Sequence, residues 1–71
     1  MTVVEAFAKN VKEALIENEW SQSKLARISG VSKPTISSLL RCSYGPTLYT
    51  VYAVAKALDV SIDELIEGAD E

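Results

Sequence analysis

The 71 residues, about half apolar and a quarter charged, contain no histidine and one cysteine, and their formal net charge is −3. A chain this short buries only about 60% of the surface its unfolded form exposes, which leaves a thin core and no enclosed cleft between lobes. The composition excludes a histidine base, a zinc cluster, an internal disulfide and a membrane span.

Thr2-Val3-Val4-Glu5 has the form of a capping box. Val4, Phe7, Val11 and Ala14/Leu15 recur at helical spacing, so the first helix is expected at roughly 3–17. This acidic, periodic start does not resemble a signal peptide. Asn18-Glu19-Trp20 is a short connection, with Trp20 a core anchor. Ser21 caps a second helix to about Ser29, with Leu25, Ala26 and Ile28 inward. Gly30 suits a left-handed residue after the helix end, and Val31 points into the core.

Ser32 caps a third helix that ends near Arg41. Pro34 stands in its first turn, where a missing N–H costs nothing. Ile36, Leu39 and Leu40 form its inner face. Cys42 to Pro46 is a loop. Thr47 caps a fourth helix with Leu48, Val51, Val54, Ala55 and Leu58 inward and Tyr52 half-buried. Ser61-Ile62-Asp63-Glu64 is a second capping box opening a short fifth helix, and residues 68–71 are a frayed acidic tail. The whole reads as one domain over 1–71, with its core at about 3–67.

Charge is segregated along the chain. Residues 1–20 carry −2 and residues 59–71 carry −6. Between Ser21 and Leu58 there is no acid, and Lys24, Arg27, Lys33, Arg41 and Lys56 give +5. A basic middle between acidic ends can present a positive face in spite of the total. Two short helices joined by a tight glycine-containing turn, here Gln22 to Leu39, make a helix-turn-helix whose second helix fits the major groove.

The chain resembles the Cro/repressor (xenobiotic-response-element-like) family of DNA-binding domains. The resemblance is carried by Ser21-Gln22, Leu25-Ala26, Gly30-Val31-Ser32, Thr35-Ile36-Ser37, Pro46, Leu48 and the run from Ala55 to Leu65, and it covers about residues 6–66. It implies an all-α, five-helix, lambda-repressor-like fold. It also implies a regulator of transcription, expected to be a homodimeric repressor on a palindromic operator; the lone cysteine and the lack of histidine fit a cytoplasmic, non-enzymatic protein. A phage or mobile-element regulator and a restriction-modification controller both fit. The alternative is a protein-interaction module or antitoxin-like partner on the same fold. Double-stranded DNA and a second copy are the implied partners, with no cofactor, membrane or small-molecule ligand.

The resemblance places Lys33, Pro34, Thr35, Ser37 and Ser38 at base edges. Lysine donates to guanine or to phosphate, hydroxyls read either kind of edge, and the carbons of Pro34 and Thr35 suit a thymine methyl. It places Gln22, Ser23, Lys24, Arg27, Arg41, Ser43 and Tyr44 near phosphates. The loop departs from the family pattern, because Cys42 replaces a usual glycine and Ser43-Tyr44 a usual basic pair. Leu15 and Leu40 stand where the family often has an Arg–Glu pair. Tyr49, Ile62 and Ile66 are expected to form the dimer patch.

Overall fold

A computed structural model describes residues 1–43 and 45–71. The expectation for Tyr44 lies outside the described residues. Five helices follow in chain order: α1 Val3–Asn18, α2 Gln22–Ser29, α3 Lys33–Leu40, α4 Leu48–Leu58 and α5 Ile62–Leu65. Each begins at a Ser or Thr in extended conformation whose hydroxyl accepts an N–H three residues on, at Thr2, Ser21, Ser32, Thr47 and Ser61. Such a cap satisfies one of the N–H groups that have no partner inside the helix. Both expected capping boxes form. Glu5 Oε1 accepts from the Thr2 N–H at 2.8 Å, and Glu64 Oε1 from the Ser61 N–H at 3.2 Å.

Helix α1 packs on α3 and α5, while α2 packs on α3 and α4, and α4 also touches α5. Phe7, Val11, Leu15, Leu25, Val31, Ile36, Leu39, Leu40, Val54, Leu58 and Leu65 share one buried cluster, with Trp20 packed against it. Leu15 and Leu40 are both in it, so the hydrophobic effect holds α1 to the end of α3 where an ion pair was the family's alternative. Ala6, Ala8, Thr50 and Ala53 are also buried. These small residues let neighbouring backbones approach and carry little apolar signal in the sequence.

Three expectations are corrected. Leu48 is 78% exposed, Tyr52 55% and Ile28 43%. At 100° per residue, the buried arc of α4 runs through Thr50, Ala53 and Val54. Leu48, in the first turn, falls beyond its margin, and Tyr52 faces outward with Tyr49 and Lys56. Ile28 lies in the last turn of α2, where it borders α4 without being covered by it. The tail is also more ordered than expected. The Asp70 N–H donates to the Met1 carbonyl at 3.0 Å, and the Asp70 carboxylate pairs with the terminal ammonium. Among the described residues, no helix is long and apolar enough to cross a membrane.

Candidate nucleic-acid interface

The turn between α2 and α3 is set by Gly30, whose φ of +78° is left-handed. Glycine adopts that conformation without the Cβ penalty other residues meet. Val31 then drops into the core, and Ser32 restarts the chain as the cap of α3. Inside α3, Ile36, Leu39 and Leu40 are buried, which fixes the helix phase and turns Pro34 to solvent, with Ser37 and Ser38 half-buried; Lys33 is exposed at the first position of the helix.

The expected contact residues divide by what their polar atoms already do. Lys33 and Pro34 are exposed, as are Ser23, Arg27, Arg41 and Ser43. Thr35 is half-buried, and its Oγ1 accepts from Ser32 Oγ at 2.8 Å, so part of its hydroxyl's capacity serves the helix cap. The Ser37 hydroxyl donates to Gln22 Oε1 at 2.9 Å. A residue expected at bases and one expected at phosphates are therefore joined. The Lys24 ammonium lies 5.0 Å from the Trp20 ring centroid, a cation–π contact that holds it over the connection between α1 and α2. Lys56 makes the corresponding contact with Tyr52, at 5.9 Å.

An open groove runs beside this face, between the C-terminal end of α1 and the facing ends of α2 and α3. It is lined by Lys12, Leu15, Ile16, Trp20, Ser21, Gln22, Ser37, Leu40 and Arg41. Lys12 was not anticipated in the sequence. Its charge has no neighbouring signal there, and only the packing of α1 on α3 brings it to the rim. At the start of the loop after α3, Cys42 adopts φ +57°, the left-handed region that favours glycine.

The expected dimer residues separate. Tyr49, 69% exposed, shares a shallow groove with Ile28, Tyr52 and Lys56. Tyr52 and Lys56 continue that surface to Ile62. Ile66 instead lines a different depression with Val3, Val4, Phe7, Pro46 and Val51.

Comparison with known proteins agrees with this geometry. Residues 11–65 match the family model described as helix-turn-helix. The chain is 38% identical over 66 residues to the control protein C.SmaI of Serratia marcescens, covering 93% of this chain and 79% of that one. It is 40% identical over 55 residues to the helix-turn-helix transcriptional regulator y4dJ of Sinorhizobium fredii, covering 78% and 71%. Its fold is similar to that of the restriction-modification controller C.AhdI from Aeromonas hydrophila, with a TM-score of 0.81 and 26% identity over 87% of this chain and 94% of that one. It is also similar to the hypothetical transcription factor NHTF from Neisseria, with a TM-score of 0.84 and 26% identity over 90% and 74%. The chain belongs to the helix-turn-helix family, of the Cro/repressor type, and is a DNA-binding regulator of transcription.

Proposed function

We propose that the chain acts as a homodimer on an inverted-repeat operator, as a controller of a restriction-modification system whose main output is repression. The observation that carries this reading is the acid-free stretch from Ser21 to Leu58, which surrounds α3 with exposed Arg27, Lys33 and Arg41. The controller assignment rests on the likeness to C.SmaI and C.AhdI. In this reading Lys33, Pro34, the carbons of Thr35, and Ser38 meet base edges in the major groove. Gln22, Ser23, Arg27, Arg41 and Ser43 face phosphates on either side.

Length favours a dimer. The eight residues of α3 span about 12 Å, room for only three or four base pairs. Two copies reading half-sites one helical turn apart double that information. The copies meet through the exposed surface of Ile28, Tyr49 and Tyr52, whose aromatic, apolar character suits an interface core.

Selection of bound duplexes from a random pool, followed by titration of the selected site against salt, tests the reading. An inverted repeat is expected. Log K should fall with log salt by about 0.9 for each phosphate neutralised. A flat salt dependence, or equal affinity for every sequence, refutes it.

A further inference from the structure

Gln22 opens α2 and Ser37 stands in the middle of α3. Both are half-buried, and the hydrogen bond between their side chains crosses the turn. We propose that Ser37 is a positioning residue. By donating to Gln22 Oε1 it turns the Gln22 amide nitrogen toward the DNA backbone, so that Ser37 strengthens the grip on every sequence instead of reading a base. The inference rests on the reading that Gln22 faces a phosphate.

The argument is one of donor and acceptor capacity. A carboxamide has an acceptor end and a two-proton donor end, whereas a phosphodiester oxygen only accepts. In the reversed orientation the carbonyl oxygen would face the phosphate, oxygen against oxygen. Left free, the side chain divides its time between the two. A hydroxyl that donates to Oε1 selects the productive one and reduces the rotamer entropy lost on binding.

The surroundings suit the same ligand. Gln22 and Ser37 line one groove with Lys12 and Arg41, and among the described residues no acid lines it. Ser21 Oγ already takes the Lys24 N–H at 3.1 Å. The N–H groups of Gln22 and Ser23, in the first turn of α2, have no acceptor within the helix and favour an anion. With its proton committed to Gln22, the Ser37 hydroxyl is not available as a donor to a base.

The test is a double-mutant cycle read on two duplexes, the selected site and an unrelated one of equal length, at one salt concentration. The variants are Ser37→Ala, Ser37→Thr, Gln22→Ala and the Ser37→Ala/Gln22→Ala double, with thermal melting measured on each. Ser37→Ala is expected to weaken both duplexes by the same factor, about two- to tenfold per protomer, the range of one hydrogen bond. It should leave the selected sequence unchanged and have no effect once Gln22 is alanine. Ser37→Thr, which keeps the hydroxyl, should retain most of the affinity. A loss confined to the selected duplex, or one that persists in the Gln22→Ala background, overturns the proposal and makes Ser37 a base reader. A loss that follows the melting temperature across the set overturns it in favour of a purely structural bond. Wild-type affinity in Gln22→Ala overturns it through the phosphate role of Gln22. A wild-type chain that binds neither duplex fails earlier, at the DNA-binding reading of this face.

Discussion

Replacing Leu40 with alanine removes three carbons from a side chain that is 5% exposed at the last turn of α3. At about 0.8 kcal/mol per buried CH2, the lost transfer free energy is roughly 2.4 kcal/mol. The cavity left behind adds little, because Leu40 lines an open groove with Leu15, Ile16 and Trp20 that water can enter. The expected cost is therefore about 2–3 kcal/mol, the low end for such truncations. Leu39, 1% exposed, loses the same carbons but leaves a closed hole, so Leu39→Ala should cost about 3–5 kcal/mol. At about 0.05–0.15 kcal/mol per residue, the whole domain has only some 4–10 kcal/mol. Leu40→Ala should stay folded, while Leu39→Ala approaches the edge. Urea unfolding followed by circular dichroism, with equal m-values, gives both numbers. The reverse order refutes the reasoning. Leu40→Glu should be worse than Leu40→Ala, since it loses the same apolar packing and also sets a carboxylate against apolar Leu15, and adding Leu15→Arg should recover part of the loss. If Leu40→Glu melts like wild type, α3 has another phase, and the outward placement of Pro34 and Ser38 falls with it.

Gly30 and Cys42 share left-handed backbone, and no atom lies within 4 Å of a Cβ built at Gly30. Gly30→Ala should thus cost about 1–2 kcal/mol through the backbone alone, while Cys42→Gly should be neutral or slightly stabilising, as strain relief is partly offset by glycine's unfolded-state entropy. Opposite signs in thermal melting would refute this. The Thr2 N–H and hydroxyl bonded to Glu5 hold its carboxyl below the ordinary carboxylate value. Its contribution is present at neutral pH and lost as pH falls through the folded-state value, so the gap in melting temperature between wild type and Glu5→Gln should shrink on acidification and not grow. Tyr49→Lys with Tyr52→Lys should shift sedimentation from dimer toward monomer and leave melting at low concentration nearly unchanged; an unaltered dimer would place the interface elsewhere.

The helices were legible because their starts are chemical. Each of the five caps is a Ser or Thr with its partner N–H three residues on, and Gly30 marks the turn. Helical periodicity reports which stripe is apolar but not where a neighbouring helix stops covering it, and so Ile28 and Leu48 were misplaced. The outer face of α3 followed from its buried one. Contacts made across the fold had no local signature. Asn10 Nδ2 donates to the carbonyls of Leu65 and Glu67, more than fifty residues away, and the Ser37–Gln22 bond depends on the angle between two helices. The contact of Lys24 with Trp20 is local in sequence, four residues apart, but was not anticipated there, where the resemblance placed Lys24 near a phosphate.

The fold also explains how an acidic chain can face an anionic duplex. Helix α1 carries both signs of charge, with Lys9 paired to Glu13. Lys12 borders the groove beside α3, whereas Glu13 and Glu17 line a depression with Glu64 on the α5 side. The shortest dimension of the molecule is 19 Å. At physiological ionic strength the Debye length is about 8 Å, so charges more than two screening lengths from the duplex contribute little. Arg27, Lys33, Arg41 and Lys12 lie nearest the proposed DNA face, and acids more than two screening lengths from it add to the net charge without setting the local potential. Lowering the salt to about 10 mM lengthens the screening distance to about 30 Å, longer than that dimension, and the far acids then oppose binding. Counterion release still strengthens binding as salt falls, but the far acids bend the plot of log K against log salt toward a shallower slope at its dilute end.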